Sequence, residues 1–400
     1  MKYDLLIINA NTRKYGDGQM IAVKDGRITA IGASLKQDAA QIIDAKGNLV
    51  TESFVNGHLH LCKVFTLEMA GQAALGEYHT SGMGGAMTSI ERAADFKAAY
   101  DESWILRNVR EACNMALRHG NTHIRAFADV DPKARLEGVK ALIKAREEYK
   151  GKVELQVVAF PQDGIAREPG TEELMRQAMD LGADVAGGIP WMEYTKEEEQ
   201  AHVDFACGLA KEYDKGISML LDDVGDAGER TLEMLCKKSI EMGWQGRVTA
   251  QHCRAMELYN ENYFRKLTAL MKKAGIGLVS DPHTGPLHAR VKDLLLAGVP
   301  VALGQDDISD AYYPYGECNM LQVAFLASHL LWMTSFADME LLYDMVTTGA
   351  ARVLGIKGHT LEVGGNADLV VLDQKDVWHA IWKHTPPVYV IRNGVDVTLR

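Results

Sequence analysis

Three absences narrow the reading of this 400-residue chain. Its six cysteines, Cys62, Cys113, Cys207, Cys236, Cys253 and Cys318, are scattered with no Cys-x-x-Cys pair. That argues against a disulfide framework or a zinc ribbon. No long basic run offsets the excess of 54 Asp plus Glu over 43 Lys plus Arg, a formal charge of −11, which argues against nucleic acid as the main partner. No segment reaches the length of a membrane span, and the apolar run Leu5 to Ile8 is too short for a signal-peptide core. No membrane partner and a cytoplasmic, reducing setting are therefore expected. What is present is 47% hydrophobic and 24% charged residues, the mixture of a soluble protein with a large core.

Texture divides the chain. Residues 3–9, 19–24, 27–31 and 41–44 form short apolar bursts separated by glycines, and 366–373 and 388–392 have the same texture. They read as strands, with a tight hairpin at Lys24-Asp25-Gly26-Arg27. Neither end can bury a core alone, so residues 1–53 plus 356–400 are expected to pair into one composite β-sandwich. The middle, residues 54–355, alternates strand-like runs at 54–57, 122–127, 153–160, 185–189, 217–222, 248–251, 276–280 and 299–304 with helical periodicity, as at 103–118 and 196–213. Several helices are expected to end at glycine: Gly120, Gly182, Gly216, Gly243, Gly275 and Gly298. Eight strand–helix units with no repeat, low-complexity tract or Gly/Ser linker predict a single (β/α)8 barrel, an α/β fold. The rival is a doubly wound sheet; polar residues clustered just after strand C-terminal ends favour the barrel.

His58-Leu59-His60 closes the first of these strands, and histidines two apart on a strand share a face. Asp306 follows the eighth strand, which neighbours the first in a closed barrel, and His252 ends the sixth and faces in from across the mouth. A carboxylate and two imidazoles suit one divalent ion, zinc or iron(II), with open positions for water.

Several stretches carry a family resemblance: Phe54-Val55-Asn56-Gly57-His58-Leu59-His60, Val158-Ala159-Phe160-Pro161-Gln162-Asp163-Gly164-Ile165, Gly187-Gly188-Ile189-Pro190, Val248-Thr249-Ala250-Gln251-His252, Gly304-Gln305-Asp306-Asp307 through Tyr313-Pro314, and Asn319-Met320-Leu321-Gln322-Val323. In that order they resemble the amidohydrolase superfamily, and within it the cytosine deaminase branch that includes triazine amidohydrolases. The resemblance implies hydrolysis of a C–N bond in a small nitrogen heterocycle by metal-activated water. It assigns His58, His60 and Asp306 to the metal, and proton abstraction from water to Asp306. His252 polarises the substrate or orients the hydroxide, and Gln162 reads a pyrimidine edge through an amide that donates and accepts.

Strand 5 departs from the family pattern. Where the family has a metal-binding His and, three residues on, a proton-shuttling Glu, this sequence has Leu220 and Asp223. Leucine binds no metal, and Asp reaches about 1.5 Å less far than Glu, which matters because acid–base catalysis needs hydrogen-bond reach. Three accounts stay open: a metal held by His58, His60 and Asp306, with His252 recruited, serving a different amide or amine; a metal-weak variant with different chemistry; and a catalytically silent barrel that binds a small ligand. The acids at 222, 223, 226, 306 and 307 predict a strongly acidic mouth, although Asp222 and Asp226 also read as solvated loop acids or caps. Asp307 and Tyr312 are expected at the substrate, Tyr312 within an aromatic run able to stack on a flat ring. The stretch from Glu68 through Glu77, His79 and Gly82–Gly85 to Asp95 reads as a lid or an ordinary helical excursion. His123, His283 and His288 find no partner in the sequence. A homo-oligomer stays open.

Overall fold

The computed structural model describes residues 2–70, 90, 91, 94 and 96–399. The N-terminal strands β1 (Tyr3–Thr12), β2 (Gly16–Lys24) and β3 (Arg27–Gly32) form an antiparallel meander, and β4 (Ala39–Asp44) returns parallel to β1. The β2–β3 turn places Asp25 and Gly26 at φ of 50° and 72°, the two positive values a tight hairpin of this twist requires. β5 (Val50–Glu52) crosses to a second sheet, where it pairs with β14 (Leu369–Val371), followed by β15 (Tyr389–Arg392) and β16 (Val395–Asp396). Leu5, Ile7, Ile21 and Val23 from the first sheet and Leu369, Val371 and Ile391 from the second share one apolar cluster. Each sheet thus supplies the other with the apolar face it lacks alone.

Between them lies the barrel: β6 (Phe54–Leu59), β7 (Asn121–Asp129), β8 (Glu154–Phe160), β9 (Val185–Gly188), β10 (Gly216–Leu221), β11 (Val248–His252), β12 (Gly277–Ser280) and β13 (Val301–Leu303), parallel and in chain order around the sheet. The eight strand runs read from the sequence are these eight. Most of their residues are buried, as expected where side chains fill one face and helices cover the other. The helix Glu102–Arg118 starts at an Asp101 cap, and Lys196–Glu212 starts at a Thr195–Glu198 capping box that satisfies two orphan donors at once. Gly243 and Gly275 cap helices in the left-handed conformation as expected, but Gly216 does not. It opens β10, and Asp214, at φ 54°, takes the left-handed place instead.

Barrel closure bears directly on the site. The last strand meets the first through backbone bonds from Gln305 N and Asp306 N to His58 O (3.0 and 2.9 Å) and from His60 N to Asp306 O (2.8 Å). Gly304 permits this approach: a Cβ there would stand 2.2 Å from Asp281 Oδ1 and 2.6 Å from His58 Cβ. All six cysteines are buried free thiols. Among the described residues no helix is long and apolar enough to cross a membrane.

Candidate active site

The closing ladder fixes His58, His60 and Asp306 against one another at the C-terminal rim. Asp306 Oδ1 lies 3.2 Å from His58 Nε2, 3.8 Å from His60 Nε2 and 3.6 Å from His252 Nε2. His252 faces in from β11, across the mouth from β6, and its ring reaches to 3.4 Å between its Nε2 and His58 Nε2. It ends β11 at φ 63°, and Asp222, just past β10, and Asp306, just past β13, have φ of 44° and 67°. Left-handed backbone at a non-glycine residue costs on the order of 1–3 kcal/mol and persists only where the surroundings enforce it. Here the enforcement is the strand-end hydrogen bonding, including Cys253 N to Leu221 O (3.1 Å) and Ala255 N to Asp222 O (2.8 Å).

Neighbouring groups orient the ligand atoms. Gln251 Nε2 donates to Ser218 Oγ (2.8 Å), so its Oε1 accepts from His58 Nδ1–H (3.1 Å) and the His58 lone pair sits on Nε2. Asp306 divides its two oxygens. Oδ2 accepts from Thr284 Oγ1 (2.7 Å) and Arg254 Nη2 (3.3 Å), while Oδ1 has no hydrogen-bond donor and faces the three imidazoles. Arg254 also grips both oxygens of Asp223 through Nη1 (3.1 and 3.0 Å). The rings of His58 and His60 pack against Phe127, and His60 also against Phe160.

Burial sets the charges. It lowers the His58 imidazole against the pull of Asp306, and lowers those of His60 and His252 well below the usual range, aided by Lys63 and Arg254 respectively. The three rings are therefore neutral near pH 7, the form that binds metal. Burial alone raises the Asp306 carboxyl, but the Arg254 guanidinium opposes it, and the group stays well below the carboxylate range. Burial pushes Asp223 up to about 7 even against Arg254, and raises Asp281 and Asp307 well above their ordinary value, with Asp306 adding to both.

Above this cluster opens a small cavity of about 40 Å³, partly open to solvent. Ile90, Trp191, Leu220 and Tyr312 give it apolar walls; His60, His252, Asp223 and Asp306 stand with Lys63, Gln162, Arg254 and Asp307 as its polar groups.

A model of the amidohydrolase family, in its Amidohydro_3 form, matches residues 41–397. The chain belongs to the amidohydrolase family. It is 33% identical over 397 residues to N-isopropylammelide isopropyl amidohydrolase of Pseudomonas sp. (strain ADP), covering 98% of this chain and 96% of that one. A 5-methylcytosine deaminase from Klebsiella pneumoniae liganded with 5-fluorocytosine superposes with a TM-score of 0.89 at 30% identity, over 99% of this chain and 97% of that one. N-isopropylammelide isopropylaminohydrolase from Burkholderia multivorans ATCC 17616 gives 0.87 at 28%, over 100% and 98%.

Within this amidohydrolase the residues singled out from sequence converge. His60, Gln162, Leu220, Asp223, His252, Asp306, Asp307 and Tyr312 all line the cavity, with His58 directly beneath. The mouth is not simply acidic, because two buried cations, Lys63 and Arg254, stand among the carboxylates. Asp222 is fully buried rather than solvated: it accepts from Thr231 Oγ1, Leu232 N and Tyr259 OH and anchors the helix Thr231–Met242. Asp226 is the exposed loop acid expected. His283 packs on Tyr313 and bonds Gln305 O, and His288 lies 3.4 Å from Glu257. Most of the lid segment, including Glu77, His79 and Gly82–Gly85, lies outside the described residues.

Sequence reasoning missed Arg254, Lys63 and Asp281. Each left a faint signal, a charge one to four residues past a strand end. Asp281 Oδ2 lies 3.7 Å from His252 Nε2. Lys63 Nζ donates to Gln162 Oε1 (3.3 Å) and stands 4.3 Å from the centre of the Tyr312 ring. The Gln162 loop is itself held by Glu193, which accepts from the backbone N–H groups of Ile165, Ala166 and Arg167 and from His202 Nδ1 (2.6 Å).

The residues fit a divalent ion. A buried carboxylate oxygen without a hydrogen-bond donor faces three neutral imidazole nitrogens, and His58, His60 and Asp306 offer ligand atoms within 4.8 Å of one another. Two imidazoles and a carboxylate with room beside them make a set suited to zinc or iron(II).

Proposed function

We propose that this amidohydrolase hydrolyses a C–N bond of a small nitrogen heterocycle, as a deaminase or cyclic amidohydrolase. The observation that carries the reading is the convergence of His58, His60, His252 and Asp306 at the base of a cavity walled by flat apolar groups. His58, His60 and Asp306 would hold one zinc or iron(II) ion, which supplies Lewis acidity and makes water nucleophilic near neutral pH. Leu220 offers no further ligand, so His252 is the nearest imidazole able to complete the set.

The chain's own residues do the rest. Asp306, ionised and held by Arg254 and Thr284, is the base that takes the proton of the attacking water. His252 Nε2, 3.6 Å from that carboxylate, polarises the substrate or orients the hydroxide. Asp223, raised to about 7, carries a proton to the leaving amine, with its carboxylate 3.5 Å from His252 Nδ1. Gln162 gives its carbonyl to Lys63, which leaves its NH2 to read the ring edge, while Tyr312 and Trp191 flank the ring face and Asp307 closes the polar side. The division into a barrel at 54–355 and a composite sandwich at 1–53 plus 356–400 goes with this reading.

The two-pronged Arg254–Asp223 pair favours a second reading, a barrel that binds a ring without turning it over, because it occupies the shuttle acid. The protein loaded with zinc or iron(II), assayed on amino- and alkylamino-substituted triazines and pyrimidines, separates the two. Release of ammonia or amine is expected. Metal-loaded protein that binds such rings without releasing either overturns the proposal in favour of the second reading.

A further inference from the structure

A second constellation of two histidines and an aspartate lies away from the catalytic rim. His123, near the start of β7, His359, on the connection into the C-terminal sheet, and Asp368, one residue before β14, offer one ligand atom each within 4.8 Å of one another. All three are buried, with exposures of 4%, 5% and 1%. We infer that these residues form a second, structural metal site for a borderline divalent transition ion such as zinc(II), tying the barrel floor to the C-terminal sheet.

The hydrogen bonds around the cluster leave lone pairs, not protons, for a cation. His359 Nε2 donates to the carbonyl of Ser53 (2.8 Å), so Nδ1 is unprotonated, and that buried nitrogen has no partner. His123 Nδ1 is 2.9 Å from Thr122 Oγ1, which is in turn 2.6 Å from Ser53 Oγ. A Thr122 hydroxyl that donates to Ser53 accepts from His123 Nδ1–H and leaves Nε2 as the lone-pair nitrogen. Such carbonyl and hydroxyl partners orient imidazole ligands in metal sites. Asp368 takes one bond on each oxygen, from Arg392 Nη1 (2.6 Å) and from the Asn393 backbone (2.8 Å), so each keeps a lone pair. Burial lowers both imidazoles, which keeps them neutral at pH 7. Arg392 opposes a cation here, and Glu154, 3.5 Å from its Nη2, offsets part of that charge. The ion has an entry path: His123 and Arg392 line a solvent-connected cavity of about 650 Å³ beneath the barrel.

The test uses zinc(II) alone on the full chain, stripped with chelator and reloaded, with metal content, melting temperature and turnover measured together. Wild type should hold about two equivalents and the variant His359→Gln about one, with turnover retained. His359→Gln keeps an N–H for the Ser53 carbonyl, which guards the fold. In a His58→Ala/His60→Ala background, zinc should still raise the melting temperature and cobalt(II) should still give a visible absorption band, and adding His359→Gln should abolish both. The inference is overturned if that background takes up no zinc, or if its zinc-dependent shift and cobalt band survive His359→Gln. Either outcome leaves the catalytic reading standing, because that reading is decided by amine release.

Discussion

At opposite ends of one barrel the chain gathers two histidines and an aspartate, and their surroundings differ. At the rim, His58 and His60 come from one strand, Asp306 is bonded to them through the closing ladder, and a cavity opens beside Asp223, Lys63, Gln162 and Arg254. At the floor, His123, His359 and Asp368 come from three separate parts of the chain and sit where barrel and C-terminal sheet meet. The rim has raised acids and buried cations facing open space; the floor has an ion pair and backbone partners. Similar donor sets thus stand in different company: raised carboxyls and buried cations beside the rim set, and an arginine–aspartate pair beside the floor set.

The largest expected effect would break that contrast. Asp306→Asn should lower turnover by about 10²- to 10⁴-fold, the usual yield of a positioned general base. Asp368→Asn, at the floor, should leave turnover per folded molecule unchanged; equal losses in steady-state assays would erase the distinction. Next is the buried charge at the rim. Arg254→Ala strands Asp223 and Asp306 in the interior and should destabilise the fold by about 3–5 kcal/mol in denaturant titrations.

Smaller changes should sharpen the comparison. Gln251→Leu frees His58 to rotate and should weaken metal affinity at the rim by about 10- to 100-fold in competition with a chelator, with no effect on the floor. Leu220→His should act the other way and tighten the rim metal, as isothermal titration can measure. The smallest effect belongs to Glu229, on the segment after β10, whose Oε2 is buried without a partner. Burial pushes this carboxyl up to about 7 against the pull of Lys196. Between its ordinary value near 4.5 and about 7 the native state holds a proton that the unfolded state has lost. Its contribution to stability is thus present at low pH and lost as pH rises through that window. Glu229→Gln should flatten this part of the melting-temperature profile of chelator-treated protein; an unchanged slope would place the dependence elsewhere.

The strands were legible because each is a short apolar run between helical periods, and burial on both faces leaves little other composition. The rim histidines were legible because their spacing puts them on one face of β6, and Asp306 because first and last strands must meet in a closed barrel. Arg254 was not. A guanidinium two residues past His252 reads as a surface charge until the fold brings Asp223 and Asp306, 31 and 52 residues away in the chain, against it. Asp222 fits the capping alternative, accepting from Leu232 N at the start of its helix, but only the packing of Tyr259 and Thr231 removes it from water. The floor cluster left no signal, since its members are 236 and 9 residues apart along the chain.

By itself the sequence determined the number and order of the barrel strands, the contribution of both ends to the β layer, and the gathering of His58, His60 and Asp306 at the rim. These depend on periodicity and on topological closure, which are local or combinatorial properties of the chain. Only the tertiary structure decided that His252 stands 3.4 Å from His58, that Arg254 joins two carboxylates, and that His123, His359 and Asp368 meet. Those are contacts between side chains of different elements, set by packing to within an ångström, and a one-dimensional pattern carries no such distance.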